Sequence, residues 1–297
     1  MLEPKKYNKR ICEAQVHWAH LKAEQLIWTS CILCGSPNYE TLGALVINWI
    51  EFFLVQCPTC RLIWRNPLPD PGFLKDLYSE FYYRVAKDSP SLVYQVGIAD
   101  CERSDQEKRR EITRREVCEW KQRGIIPTTP SGERKNLLEI GGGRGYLQQA
   151  ASEAGWNTLG LEISAHGIKA AIEKGLIVLP ITLEELCEKF IPYHRYFDAV
   201  VFFDFLEHVM DPGKVLRMVK YIIKEDGIII LRVPITEECP RLHLIDHIWH
   251  FSAMSIRKLL AKEGLEIVDS HDSGSFKAPS GDSIENLTIF AKKDSTN

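Results

Sequence analysis

Apolar and polar residues alternate in blocks along the second half of the chain. Short, almost wholly apolar runs are separated by longer stretches in which apolar residues recur every three or four positions. A short apolar run predicts a strand buried on both faces, and the longer spacing predicts an amphipathic helix. The predicted strands are NLLEI, NTLGLEI, GLIVL, FDAVVFF and GIIILRV. The predicted helices are GYLQQAASEAG, SAHGIKAAIEKG, TLEELCEKF, DPGKVLRMVKYIIKE and SAMSIRKLLAKEG.

The order of these elements predicts an α/β fold. Strands that are apolar throughout and alternate with helices belong to a parallel sheet covered on both faces. Two further predicted strands, LEIVDSHD and DSIENLTIFAK, follow each other without a helix between them. We therefore expect seven strands, of which five are parallel and the last two form an antiparallel hairpin at the sheet edge.

Two C-x-x-C pairs occur in the first quarter of the chain. CILC occupies residues 31–34 and CPTC residues 57–60, and the stretch between them has the β-branched and aromatic content of a hairpin. Two such pairs supply the closed tetrahedral set of thiolates that suits Zn²⁺. The predicted ligands of a structural zinc ribbon are Cys31, Cys34, Cys57 and Cys60. The alternatives are two pairs of buried thiols or a redox motif, which fits less well because neither pair lies at a strand-to-helix junction.

Composition shifts divide the chain into four predicted parts. These are an N-terminal extension (1–30), the zinc ribbon (31–68), a helical connector and linker (69–130) and the α/β domain (131–297). The connector contains the charged run ERSDQEKRREITRREVCEW, whose mixed signs predict a solvated helix. The connector also contains Tyr82 and Tyr83. These tyrosines would reach over the active site of the α/β domain as a lid or pack against the helices of that domain.

Composition and charge narrow the classes of partner. The 297 residues are 45% apolar and 26% charged, as in an ordinary globular protein. The 37 basic and 40 acidic residues give a net charge of −3, which predicts neither a nucleic acid nor an anionic membrane as partner. No apolar run has the roughly 18–20 residues of a membrane span, and the N-terminus lacks the apolar core of a signal peptide. We therefore expect a cytoplasmic protein whose nine cysteines are thiols or metal ligands.

The first strand of the α/β pattern runs directly into a glycine-rich loop, LLEIGGGRGYL. The third glycine of a dinucleotide fingerprint would fall at Tyr146, and the Lys-Ser/Thr of a P-loop is absent. What remains is E-x-G-x-G-x-G, formed by Glu139, Gly141, Gly143 and Gly145. It lies at the carboxyl end of a strand, where open α/β sheets bind ligands, and its glycines let the backbone approach a ligand closely.

With this loop, three further features resemble the class I S-adenosylmethionine-dependent methyltransferases. LGLEIS ends the second strand on an acidic residue, FDAVVFFDFLEHVMDP is similar to the family's fourth-strand signature, and the sheet ends in a hairpin. The resemblance implies a Rossmann-like methyltransferase sheet. The residues that it implies for binding S-adenosylmethionine are Glu139, Gly141, Gly143, Gly145, Glu162 and Asp204. Glu162 would bond both ribose hydroxyls, and Asp204 would line the methionine or substrate side or serve only as a helix cap.

The N-terminal part is similar to that of bacterial methyltransferases from sugar, surface-polysaccharide or secondary-metabolite pathways. The shared features are CxxCG, CPxC, a following N-P-x-P and the tyrosine-rich LYSEFYYR. This resemblance implies O- or C-methylation of a small polar acceptor, a sugar or nucleotide-linked sugar. The alternative is an RNA or protein substrate docked by the ribbon, although the lack of Lys and Arg from residue 31 to residue 60 argues against nucleic acid. The intact glycine loop argues against a third interpretation, a non-catalytic scaffold.

Methyl transfer to a hydroxyl or carbon acid needs a general base, and histidine is the usual choice. His208 lies in FLEHV beyond the fourth strand, and His243, His247 and His250 lie in RLHLIDHIWHFS after the fifth. On a helical turn the last three would share one face, which is also a metal-like arrangement, but the resembling proteins carry H-x-x-H-F-S/T without a metal. We predict His247, His250 or His208 as the base, and the alternative for His208 is a structural histidine that holds the loop.

Overall fold

The computed structural model describes residues 26–47, 50–76, 103–124, 133–189, 191–236, 247–277 and 283–294. Several predictions fall outside these residues: most of the N-terminal extension, the tyrosines Tyr82 and Tyr83, and His243.

The N-terminal part forms a small antiparallel unit around the two cysteine pairs. Its elements are Leu26–Ile27 (β1), Glu40–Ile47 (β2), Ile50–Gln56 (β3), Ile63–Asn66 (β4), Leu68–Pro69 (β5) and the helix Pro71–Asp76 (α1). β2 and β3 form the predicted hairpin, β4 lies antiparallel beside β3, and β1 pairs with β5. The Asn66 side chain bonds both backbone groups of Thr29, which fixes the chain as it enters the first cysteine pair.

The remaining elements form an α/β unit. Its helices are Arg103–Gln122 (α2), Tyr146–Glu153 (α3), Ala165–Ile172 (α4), Leu183–Lys189 (α5), Pro212–Ile222 (α6) and Ala253–Lys262 (α7), with 3₁₀ turns at Ile191–Tyr193 and Leu206–His208. Its strands are Asn136–Ile140 (β6), Asn157–Leu161 (β7), Val178–Leu179 (β8), Phe197–Phe203 (β9), Ile223–Ile235 (β10), Trp249–His250 (β11), Leu265–Lys277 (β12) and Ser283–Lys293 (β13). None of the described helices is long and apolar enough to cross a membrane.

Seven strands of this unit form one sheet in the order β12-β13-β10-β9-β6-β7-β8. The five strands from β10 to β8 are parallel to one another. β13 lies antiparallel between β10 and β12, so the C-terminal hairpin forms the sheet edge. The predicted fold class is therefore confirmed.

Burial on both faces explains why continuous apolar runs became the central strands. In β9, every residue from Phe197 to Phe202 is buried, and such a strand gains apolar contact from both layers of helices. Some predicted boundaries were wrong: the strand expected from residue 175 begins at Val178, and the helix expected to reach residue 225 ends at Ile222. Ile223 instead pairs with Phe197 and begins β10, because a buried β-branched residue beside a free strand edge packs well in a sheet.

A two-residue strand from the C-terminal half completes the ribbon sheet, whose order is β11-β4-β3-β2. Trp249 lies opposite Trp64, and His250 lies opposite Ile63. The helical turn considered for the histidine segment does not form at residues 248–250, because the carbonyl of Ile248 and the strand Trp249–His250 pair with β4. Both tryptophans belong to one hydrophobic core with three of the cysteines, Cys31, Cys57 and Cys60, and with the central sheet, so the ribbon packs directly on the α/β unit.

Candidate active site

The glycine loop joins β6 to α3 at the carboxyl edge of the sheet. Gly141, Gly143 and Gly145 have φ values of 67°, 53° and 72°, in the left-handed region that favours glycine. A Cβ on Gly141 would lie 2.9 Å from the Phe205 ring, and a Cβ on Gly145 would lie 2.6 Å from Leu176. The glycines are therefore needed both for the path of the loop and for its close packing.

Glu139 lies beneath this loop. Its side chain is buried, and Oε2 accepts a hydrogen bond of 3.0 Å from the amide of Gln148 in the first turn of α3. A Cβ on Gly142 would lie 2.8 Å from the Glu139 carboxyl carbon. Burial raises the pKa of Glu139 to about 8, and the charge of Glu162 adds to this rise while the Gln148 amide opposes it. The Glu139 side chain thus packs against the glycine loop and bonds the first turn of α3.

Replacing Glu139 by glutamine should remove a pH dependence of stability. Between the ordinary pKa of 4.5 and the raised pKa of about 8, the folded protein holds a proton that the unfolded chain releases. The stability that this proton contributes is complete below pH 4.5 and is lost as the pH rises to about 8. Over this range the free energy of unfolding falls by up to about 1.4 kcal/mol per pH unit. Urea unfolding of wild type and Glu139→Gln from pH 5 to pH 9 measures it.

The glutamine retains an oxygen for the Gln148 amide, so we expect a flatter stability profile instead of a misfolded protein. Glu173→Gln, at an exposed position just after α4, is the matched control and should keep the wild-type slope. Parallel profiles for wild type and Glu139→Gln would contradict the raised pKa.

Glu162 follows β7 and ties the glycine loop to the start of α4. Its Oε2 accepts from the Gly143 amide and its Oε1 from the Ser164 amide, each at 2.7 Å. Burial raises its pKa, although the two amides act in the opposite direction. Each carboxylate oxygen has a second lone pair, so both can still accept a hydroxyl of a ligand. The structure thus brings Glu162 to the loop, as its position in the sequence predicts.

Asp204 follows β9 with a left-handed φ of 50° and a side chain that is 45% exposed. Its Oδ2 lies 2.7 Å from Nη2 of Arg232 in β10, and Arg232 Nη1 donates to Glu116 of α2 at 3.1 Å. The alternative of a helix cap does not hold, because the following 3₁₀ turn has no side-chain cap and Asp211 caps α6. Sequence reasoning missed Arg232 and Glu116; the visible signal was one charged residue inside the apolar run GIIILRV.

The three candidate bases lie together beside a buried carboxylate. The His208 and His247 rings are edge to face with centroids 4.7 Å apart, and His250 is 6.2 Å from His247. Glu207 is fully buried, and its Oε1 lies 3.8 Å from His208 Nε2. This distance is too long for a hydrogen bond, but a carboxylate this close favours a positive charge on the imidazole.

The turn that carries His208 also flanks the glycine loop. Phe205 precedes this turn directly, and its ring is the group that a Cβ on Gly141 would meet. The candidate base is therefore three residues from a side chain that contacts the loop. Both features lie at the carboxyl ends of β6 and β9, which are neighbours in the sheet.

The four predicted metal ligands form a compact cluster. Sγ of Cys31 is 3.2 Å from Sγ of Cys60, Sγ of Cys34 is 3.5 Å from Sγ of Cys57, and all four sulfurs lie within 4.8 Å of one another. Sulfurs 2.3 Å from a tetrahedral zinc are about 3.8 Å apart. The donor set therefore fits a closed tetrahedral site.

Comparison with known proteins finds similarity to methyltransferases. Two curated relatives, both named ubiquinone biosynthesis O-methyltransferase, come from Actinobacillus pleuropneumoniae and Pseudomonas aeruginosa. The first is 30% identical over 102 residues, 32% of this chain and 44% of the relative, and the second is 32% identical over 103 residues, 33% of this chain and 43% of the relative. The chain thus spans less than half the length of these relatives.

A solved structure of an S-adenosylmethionine-dependent methyltransferase from Methanosarcina mazei aligns with a TM-score of 0.47 at 18% identity. The alignment covers 55% of this chain and 93% of that one. The sequence profile of a family described as "Methyltransferase domain" matches residues 109–270, more than half of the chain. This protein therefore belongs to the methyltransferase domain family.

Proposed function

We propose that this methyltransferase uses S-adenosylmethionine to methylate a small polar acceptor, a sugar or nucleotide-linked sugar, on oxygen or carbon. The observation that carries the proposal is the arrangement of the glycine loop, Glu162 and the Glu207–His208 pair at one edge of the sheet. The two relatives named above are O-methyltransferases by name, which favours a hydroxyl as the acceptor group.

S-adenosylmethionine would supply a methyl group on a positively charged sulfur. In this chain Glu162 would accept the ribose hydroxyls with the lone pairs that the Gly143 and Ser164 amides leave free. The exposed part of Asp204 places a carboxylate at the same edge, where it favours the positive charge of such a donor. The glycine loop lets the backbone lie against the ligand without a Cβ between them.

We assign the role of general base to His208 within the histidine group. Its side chain is 14% exposed, so its ring can meet an acceptor, and it adjoins the buried Glu207 carboxylate. His247 is less exposed, at 9%, and His250 is buried and part of β11. His208 would take the proton of the acceptor hydroxyl, and Glu207 would stabilise the resulting imidazolium.

We also propose a structural zinc ion at the four cysteines. The support is the compact set of sulfurs in two turns closed by backbone bonds, from Gly35 to Cys31 and from Arg61 to Cys57. A closed set of four thiolates leaves no open position, so the metal would contribute stability and not chemistry.

A protein acceptor docked by the ribbon is the second candidate. The observation in its favour is that the ribbon and the residues just before it expose large apolar side chains, of which Trp28 is 59%, Ile27 40% and Tyr39 38% exposed. Exposed apolar groups of this kind often mark a protein contact. The stretch from residue 31 to residue 60 holds no Lys or Arg, which disfavours RNA.

A labelled-methyl assay separates these candidates. The protein is incubated with methyl-labelled S-adenosylmethionine and, in separate reactions, nucleotide-sugars, small phenols, total RNA and a cell-protein extract. Label in the nucleotide-sugar reaction supports the first candidate, and label in protein alone contradicts it and supports the second. Label only in the phenols or only in RNA contradicts both.

The same assay tests the base. We expect His208→Ala to slow transfer by about 10²–10⁴-fold without changing affinity for S-adenosylmethionine. The matched control is His194→Ala, because His194 precedes β9 at the opposite end of the sheet, and its rate should equal that of the wild type. An unchanged rate in His208→Ala would contradict the assignment.

A further inference from the structure

The segment that carries His247 and His250 is held from two sides. The carbonyl of Ile248 accepts a 3.0 Å hydrogen bond from the amide of Arg65 in β4. The amide of Ile248 donates a 2.8 Å bond to the carbonyl of Glu207. One residue therefore links the ribbon sheet to the turn that contains the proposed base.

Trp249 makes a second link of the same kind. Its indole Nε1 donates a 2.7 Å hydrogen bond to the carbonyl of Val209, and its side chain is 1% exposed. The carbonyls of Glu207 and Val209 stand immediately before and after His208. The backbone on both sides of His208 is thus bonded to the residue pair 248–249.

The ribbon strand opposite this pair is itself anchored at the cysteines. The amide of Cys57 donates to the carbonyl of Leu62, the residue that precedes β4. On the far side, Lys262 at the end of α7 donates to the carbonyl of Ile32, between the two cysteines of the first pair, at 2.7 Å. A continuous series of packed strands and hydrogen bonds therefore runs from the sulfurs to His208.

We infer that Trp249 is a positioning residue for His208 and His247, and that the ribbon sheet is the frame on which it is mounted. The inference rests on the proposed function in that His208 acts as the base. The ribbon would then help to hold the histidines on the acceptor side of the active site, in addition to any role of its exposed surface.

The test compares two tryptophans that face each other across β4 and β11. Trp249→Phe keeps the aromatic packing but removes the bond to Val209. Trp64→Phe is the matched control: this indole is equally buried, and its Nε1 has no hydrogen-bond partner among the residues described. Both proteins are labelled with ¹⁵N in histidine, and the imidazole nitrogen signals are recorded by NMR.

We expect Trp249→Phe to move the imidazole signals of His208 and His247 and to leave that of His194, which precedes β9 at the opposite end of the sheet, in place. Trp64→Phe alters the same core without breaking the bond to Val209, so it should move the His208 and His247 signals less than Trp249→Phe does. Unmoved His208 and His247 signals in Trp249→Phe, or equal movement in Trp64→Phe, would overturn the inference.

Affinity for S-adenosylmethionine is measured on the same samples. We expect both variants to bind it within about twofold of the wild type, because the substitutions lie outside the glycine loop. If the wild type did not bind S-adenosylmethionine, the proposed function would be refuted. The positioning role would not be refuted by that result, because the NMR signals test it separately.

Hydrogen exchange of the wild-type Ile248 amide covers the case in which Trp249→Phe does not fold. A bond to the Glu207 carbonyl inside this frame should make the amide exchange as slowly as the amide of Arg65, within about tenfold. Exchange at the rate of an exposed loop would show that the link does not persist and would overturn the inference.

Discussion

Replacing Glu162 by alanine should weaken the binding of S-adenosylmethionine by about 100-fold. Hydrogen bonds to a charged group contribute about 1.5–3 kcal/mol each, and every 1.4 kcal/mol is about tenfold in affinity. The substitution removes the proposed acceptor of both ribose hydroxyls. It also frees the Gly143 and Ser164 amides that now bond the carboxylate, so the loop loses its link to α4. Isothermal titration calorimetry measures the loss.

Two variants separate this effect from a general loss of charge or structure. Glu162→Gln keeps the shape and one carbonyl oxygen, and we expect it to lie between alanine and the wild type. Glu173→Ala removes the same charge from an exposed position beyond the end of α4 and should bind normally. If Glu162→Ala bound as tightly as Glu173→Ala, Glu162 would have no part in the cofactor site.

The second large effect is expected at the cysteine cluster. Cys60→Ser should abolish the binding of one zinc ion per chain and lower the free energy of unfolding by about 4 kcal/mol or more, since loss of a structural metal is among the most destabilising changes known. Cys60 lies three residues before β4. We therefore expect the loss to extend through β4 to β11 and the histidines. Metal analysis and urea unfolding measure both quantities.

Cys118→Ser is the matched control because Cys118 is an exposed thiol on α2, outside the cluster. It should retain the zinc and the wild-type stability. Purified wild type that carries no zinc and cannot be loaded with it would contradict the metal assignment, as would Cys60→Ser with unchanged stability.

The central sheet was predictable because its signal is local. A strand covered on both faces must be apolar at successive positions, so runs such as FDAVVFF are visible without knowledge of their neighbours. The end of α6 was not predicted because Ile222 and Ile223 suit a helix as well as they suit a strand. Only pairing of Ile223 with Phe197 decides that the strand begins there.

β11 had no local signal at all. Two residues are too few for a pattern, and the histidine spacing around them suits a helix. The strand exists because β4, far away in the sequence, offers a free edge to Trp249 and His250. A single sequence does not display such a long-range pairing, and the positioning role of Trp249 depends on it.

In the site, the glycines were predictable because their left-handed φ values restrict these positions to few residue types. Glu162 was indicated by the resemblance to methyltransferases. The partners of Asp204 were not predictable. Arg232 lies in β10 and Glu116 lies in α2, and only the closed sheet brings them to Asp204. The resemblance to methyltransferases indicated where Asp204 would lie but not which cation would pair with it.

Titration of the purified chain with S-adenosylmethionine, alongside NAD as a competitor for the same kind of loop, tests the central claim most directly. We expect one S-adenosylmethionine per chain with a dissociation constant in the micromolar range, and no heat of binding with NAD. Binding of NAD, or no binding of S-adenosylmethionine by a folded protein, would contradict the assignment of the glycine loop and Glu162 to a methyl donor.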